Sequence, residues 1–311
     1  MSAIPFTVFT PTYNRVHTLR RVFGSLCLQP PHLFEWLVVD DGSTDETPAL
    51  LEELTKSAPF PVRVIRQPNG GKHRAHNAAV KVARGELTVI LDSDDELSPG
   101  ALAVLLAEWD AIPTDERASI AGILGHSISP SNTIVGSRYS TRHIDGKQFE
   151  LAANGIMVWD KLPCYRSDVL REFLFPELPG CKDLVPEGTV WAKISTKWKV
   201  RCIDKDVRIY HSDSGDPISL MNSYREPDSN AWGRMQYCLV VLNLSAEYWP
   251  RFLVLFAKTS VNCTRCSLHS GSGWFFPATR LDGLLARILW AVGFPLGVAV
   301  WVVDRTRIWM R

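Results

Sequence analysis

A chain of 311 residues has room for one large domain or two small ones, and at 46% hydrophobic it can bury a sizeable core. The formal net charge of +1 supplies no strongly basic face, which argues against nucleic acid as a partner, and the composition excludes a disordered chain. Seven scattered cysteines read as packed or free thiols in a reducing compartment, because residues 1–10 show no basic start followed by a long apolar run.

Residues 6–10 predict a first strand, closed by Pro11-Thr12-Tyr13-Asn14-Arg15, and Val16, Leu19, Val22, Phe23 and Leu26 follow at helical spacing. A second strand, 36–39, runs into Asp40-Asp41-Gly42-Ser43-Thr44-Asp45, followed by a helix over 47–54 and a strand over 62–65. Asn69-Gly70-Gly71-Lys72-His73-Arg74-Ala75-His76-Asn77 opens a helix reaching residue 84. The run 87–91 has the β-branched centre of a strand buried on both faces, and it ends in Asp92, Asp94 and Asp95. Strand and helix alternate at roughly 25–30 residues per unit, the pattern of a parallel sheet with helices on both faces.

Three strand ends in such a sheet share the edge where ligands bind. Asp40 and Asp41 can accept hydrogen bonds from a nucleotide base and ribose, although Asp-Gly-Ser-Thr-Asp is also a good turn with a helix cap. Gly70 and Gly71 permit close backbone approach, and Lys72, His73 and Arg74 put positive charge at a helix start where a phosphate can bind; a solvated basic turn is the plainer reading. Asp92 and Asp94 can share a divalent cation and a ribose or diphosphate, and hard oxygen ligands suit Mg²⁺ or Mn²⁺. Neither a P-loop nor a G-x-G-x-x-G turn is present.

Four stretches, Thr10 to Arg15, Val38 to Asp45, Asn69 to Asn77 and Leu91 to Asp95, stand in the order and spacing of one family. The first hundred residues resemble the family 2 glycosyltransferases of the GT-A fold. The resemblance implies a Rossmann-like, mostly parallel α/β sheet flanked by helices. It also implies inverting transfer of a sugar from a nucleotide diphosphate donor, expected to be a UDP-sugar, with Mg²⁺ or Mn²⁺ as cofactor. By motif position the donor pocket comprises Thr10, Pro11, Tyr13, Asn14, Arg15, Asp40, Asp41, Asn69, Gly70, Lys72, Arg74, Asn77, Asp92 and Ser93. Asp92 and Asp94 match the metal motif, with Asp94 the direct ligand and His211, at a strand end, a third. The transfer needs a general base on the acceptor hydroxyl. The family often carries it in a Glu-Asp pair, which is absent here; Glu187 is the first candidate and Asp183 the second.

Further along, a helix is expected over 101–108, a strand over 120–124 and polar loops or a hairpin over 127–150. Helices at 166–173 and 189–197 and closing strands at 200–203 and 207–210 complete a catalytic domain of residues 1–212. Its first hundred residues form the nucleotide-sugar half, and 101–212 the acceptor half. Residues 213–230 read as a linker and 231–311 as a C-terminal α-helical, membrane-associating region. Residues 288–303 carry no charge but contain Gly293, Pro295 and Gly297, and the run falls short of the roughly 20 residues of a membrane span. With arginines on both sides and tryptophans at 290, 301 and 309, it predicts helices lying on or dipping into the membrane, against a buried helix pair as the alternative. The expected activity is therefore transfer to a cell-surface polysaccharide or lipid-linked glycan at the cytoplasmic face of the inner (plasma) membrane. The competing expectation is a non-catalytic nucleotide-sugar-binding scaffold of a glycan assembly complex.

Overall fold

The computed structural model describes residues 4–157, 161–212, 226 and 228–309. Its strands are β1 (Phe6–Thr12), β2 (Phe34–Asp40), β3 (Val62–Arg66), β4 (Leu87–Ile90), β5 (Glu96–Leu97), β6 (Ile120–Ile128), β7 (His143–Gly146), β8 (Leu162–Arg166) and β9 (Lys199–Ile209). They form one sheet in the order β3-β2-β1-β4-β8-β6-β9-β5, with β7 also on β9. β1 to β4 are mutually parallel, as the alternation of elements requires. Every residue of β1, β2 and β4 is buried, as expected of strands covered on both faces, and their few polar side chains lie inside with the apolar ones. Glu35 in β2 is a charged residue within this core: its fully buried carboxylate accepts from the Thr7 hydroxyl (2.9 Å) and the Arg84 N–H (3.1 Å), and pairs with Arg63 (3.1 Å).

The register brings the carboxyl ends to one edge of the sheet. Thr12 pairs with Asp40, the Asp41 N–H donates to the Thr12 carbonyl, and the Leu91 N–H donates to Phe9. Three loops therefore leave one edge of the sheet side by side.

In the second half the structure departs from expectation. β8, unread in the sequence, lies antiparallel between β4 and β6, and only then does the helix Ser167–Glu172 begin. The two expected closing strands are one, β9, whose register against β6 shifts at several points. The stretch taken for loops or a hairpin contains the end of β6, β7 and the helix Gln148–Ala153.

The chain divides into two compact units, Met1–Phe175 with Ile194–Ser212, and Pro176–Lys193 with Asp213–Arg311. The division after Ser212 coincides with the expected boundary, whereas residues 176–193, expected in the acceptor half, group with the C-terminal helices. The reason is packing at the start of the helix Ala231–Asn243. Asp183 accepts from the Trp232 N–H (2.8 Å), Asn230 accepts from the Leu184 N–H (2.9 Å), and a Cβ on Gly233 would meet the Leu184 carbonyl at 2.1 Å. The expected linker 213–230 lies largely outside the described residues.

Within the second unit the helix Leu253–His269 packs against both Ala231–Asn243 and Leu284–Trp309. The last of these corrects the expectation of a run too short to span: the helix continues through Gly293, Pro295 and Gly297 for 26 residues, about 39 Å at 1.5 Å per residue. Its stretch Leu284–Arg307 is long and apolar enough to cross a membrane. The glycines let the helices touch, since a Cβ on Gly293 would lie 2.2 Å from the Ser260 hydroxyl and one on Gly297 2.6 Å from the Val261 carbonyl. Asp304 pairs with Arg265 (2.5 Å) and His269 (3.1 Å), while Leu284, Val292 and Leu296 point outward, 76%, 76% and 58% exposed.

Candidate active site

The loops after β1 and β2 are built as one object. Asn14 adopts φ +53°, a left-handed conformation that asparagine tolerates, and its side-chain oxygen accepts from the Thr44 N–H (2.8 Å). Its own N–H donates to the Ser43 hydroxyl (2.9 Å). Asp40, buried at the end of β2, accepts from the Ser43 N–H (2.9 Å) and lies 3.4 Å from Arg66. The next carboxylate ties in the third loop. Asp41 accepts from the Gln67 amide (2.7 Å), the Asn69 amide (3.4 Å) and the backbone N–H groups of Gly70 (2.9 Å) and Gly71 (2.7 Å). Gly42 makes this approach possible: at φ +80°, a Cβ there would sit 2.8 Å from the Asn69 nitrogen.

The third loop opens the helix Lys72–Val82. Lys72 reaches across to Asp92, Nζ to Oδ1 2.6 Å, and the buried Arg15 approaches Asp94 at 3.6 Å. Arg21 donates to the Asp94 carbonyl. Carboxylate oxygens of Asp92, Asp94 and Asp95 all lie within 4.8 Å of one another. Burial opposes ionisation of Asp92, but Lys72, with Arg208 and Arg15 behind it, overcomes this and holds its carboxyl below the usual range. Asp94 is pushed up, first by burial and then by the Asp92 charge. Asp95 is pushed up to about 7 by burial, against the pull of Arg208 3.4 Å away. Three carboxylates converging this closely are a donor set suited to a hard divalent ion such as Mg²⁺ or Mn²⁺, with Lys72, Arg15 and Arg208 each beside one of them.

The remaining predicted residues separate by what they touch. Pro11 and Ser93 are buried beside the loops, and Tyr13 is exposed. The Arg74 side chain lies over Gly70, 2.6 Å from where a Cβ would stand. Thr10 faces the core, its hydroxyl accepting from the Trp36 indole (3.1 Å), and Asn77 bonds both the N–H (2.9 Å) and the carbonyl (3.0 Å) of Phe175. These two hold the frame of the site. His211 contributes its N–H to Asp95 (3.0 Å) while its ring pairs with Glu96 (2.7 Å). Among the described residues the cluster of carboxylates comprises Asp92, Asp94 and Asp95. Asp95 was available in the motif itself; Arg208, on β9, carries no local signal. In the second unit, Glu187 stands at the start of the helix Gly188–Ile194, its carbonyl accepting from the Val190 (2.9 Å) and Trp191 (3.2 Å) N–H groups. One oxygen of the Asp183 carboxylate accepts from the Trp232 N–H (2.8 Å) in the first turn of the Ala231–Asn243 helix.

A family profile described as Glycosyl transferase family 2 matches residues 7–173, more than half of the chain. Chondroitin synthase of Pasteurella multocida (strain Pm70) is 31% identical over 134 residues, which cover 43% of this chain and 14% of that protein. Poly(ribitol-phosphate) beta-N-acetylglucosaminyltransferase TarS of Staphylococcus aureus (strain Mu50 / ATCC 700699) is 35% identical over 144 residues, covering 43% of this chain and 25% of that protein. The chain thus spans a quarter or less of the length of these relatives. Among solved structures, S. aureus TarS 1–349 in complex with UDP-GlcNAc superposes with a TM-score of 0.61 at 20% identity, over 94% of this chain and 81% of that one. The sheet order, the carboxylate-bearing end of β4 and the matched motifs lead to one conclusion: the chain belongs to glycosyl transferase family 2 and has the GT-A fold.

Proposed function

We infer that the protein transfers a sugar, with inversion, from a UDP-sugar to a hydroxyl of a cell-surface polysaccharide or lipid-linked glycan, using Mg²⁺ or Mn²⁺. The observation that carries this reading is the carboxylate cluster at the end of β4, with Lys72 and Arg15 against it. UDP-GlcNAc in the TarS structure supports a uridine donor, and the polysaccharide-building relatives support a glycan acceptor. In the proposed site Asp92 and Asp94 hold the cation, Asp95 and its partner Arg208 buttress them, and Lys72 and Arg15 bind diphosphate oxygens. When bound, the ion neutralises the charge that develops on the leaving diphosphate. The general base is assigned to Glu187 from its place in the sequence, where its carboxylate would take the proton of the attacking hydroxyl.

The C-terminal helices supply the proposed membrane contact at the cytoplasmic face. Small residues, Gly293 and Gly297, pack inward, and large apolar ones face out, the arrangement of helices in lipid rather than in water. The first test is Asp94→Ala. Turnover of a UDP-sugar in Mn²⁺ should fall by roughly 10²-fold or more with the thermal melt unchanged. Undiminished turnover, or full activity in excess chelator, overturns the metal assignment, and a wild-type chain that binds donor without turning it over supports the scaffold reading.

A further inference from the structure

A second opening lies at the other end of the strand that carries the carboxylates. A cavity of about 600 Å³ is lined by residues from segments 84–86, 109–118 and 166–171, all within the first unit. Leu87, the first residue of β4, pairs with Phe6, the first of β1, and with Arg166, the last of β8. The cavity therefore opens where β4 begins, whereas Asp92 leaves from its far end, about 16 Å away at the rise of a strand. It is separate from the donor site.

Its chemistry is that of guanidinium groups. Arg84, Arg117, Arg166 and Arg171 line it against two carboxylates, Glu86 and Asp168. Asp168 is matched by Arg166 in a two-toothed pair (3.1 and 2.6 Å). Arg171 donates to the neutral carbonyls of Val80 (3.0 Å) and Ala83 (2.6 Å). Arg117 lies over the Trp109 ring, 5.4 Å from its centre, and donates to the carbonyls of Asp110 (3.1 Å) and Ile112 (3.2 Å). Among the described residues the Arg84 guanidinium has no hydrogen bond or ion pair. Arg171 is thus held by uncharged acceptors, Arg117 by two carbonyls with the Asp110 carboxylate 3.9 Å away, and Arg84 by no side-chain partner, so the cavity keeps an excess of positive charge. Glu86 supplies one negative charge, and one of its oxygens accepts from the Trp109 indole (3.0 Å).

We propose that this cavity binds a phosphate group of a ligand other than the sugar donor. Fixed guanidinium forks match phosphate oxygens in geometry. Four arginines against Glu86 and Asp168, with Asp110 beside Arg117, leave an excess of about one to two positive charges, which suits the charge of a phosphate group. The volume admits an organic phosphate rather than a bare anion. The phosphate comes either from a small free molecule or from a phosphodiester-linked polyol chain lying across the sheet edge. The proposal does not depend on the sugar-transfer reading.

The test is calorimetric titration of the full chain with glycerol 3-phosphate and, separately, with a short glycerol-phosphate oligomer, in low salt and in 0.5 M NaCl. Saturable binding is expected for at least one probe, weakened by salt and by about tenfold or more in Arg84→Glu, with a smaller loss in Arg84→Gln. UDP binding in Mn²⁺ and the melting temperature should stay as in the wild type, since the Arg84 side chain supports nothing else. Binding of both probes identifies a free phosphate as the source, and binding of the oligomer alone identifies the chain. No saturable binding of either, or binding that Arg84→Glu leaves intact, overturns the proposal.

Discussion

A carboxylate that accepts four hydrogen bonds is held in one rotamer, and Asp41 is in that position. Its motif marked it as a nucleotide contact, yet most of its accepting capacity goes to shaping the Gly70–Gly71 turn. The motif positions were legible because each lies in a short run around a strand end. Which partner each side chain takes was not, because the partner is often remote: Asn77 meets Phe175 and Asp95 meets Arg208. The same distinction separates the two candidates for the base. Glu187→Gln should lower turnover by roughly 10²-fold or more while leaving UDP affinity in place, as loss of a general base does. Asp183→Ala should instead cost about 1 kcal/mol of stability through the lost hydrogen bond to the Trp232 N–H, read as a lower urea midpoint, with turnover of the folded fraction kept. If Asp183→Ala removes turnover at full stability and Glu187→Gln does not, the assignments exchange.

Elements were read correctly where period and punctuation agree, as in β1 to β4 with their intervening helices. β8 escaped because Leu162-Pro163-Cys164-Tyr165-Arg166 contains a proline, which argues against an inner strand. The structure accommodates it because the pairing with β4 covers only Cys164 to Arg166, leaving Pro163 beyond the end of that ladder. The C-terminal helix escaped for the opposite reason. Gly293, Pro295 and Gly297 look like breaks, but the glycines are points of contact with the Leu253–His269 helix. Gly293→Val should therefore force the two helices apart, costing about 1–3 kcal/mol, with faster amide exchange confined to the C-terminal helices. Unchanged exchange there would show that the helices do not rely on this contact.

The chain as a whole joins a family 2 catalytic fold to a helical unit whose outward face is apolar. Replacing Val292 and Leu296 together with glutamate leaves the packed side of that helix untouched. The bound fraction on anionic vesicles should drop by about tenfold or more, while high salt alone should release the intact chain only in part, because apolar burial is not screened. An intact chain that stays in the supernatant of native lipids would end the membrane reading. The division into two units was only half legible, since the placement of 176–193 depends on contacts with residues 230–233. The strand order has a further consequence, in the time course of synthesis. The half sheet β3-β2-β1-β4 needs nothing beyond residue 90 and can close while the rest is still being made. β6 cannot find its second neighbour until β9 has emerged some seventy residues later, and β5 pairs with β9 alone. Because β9 also brings Arg208 to Asp95, and His211 follows directly behind it, the carboxylate turn at 92–95, made long before β9, is among the last parts of this unit to acquire its final shape.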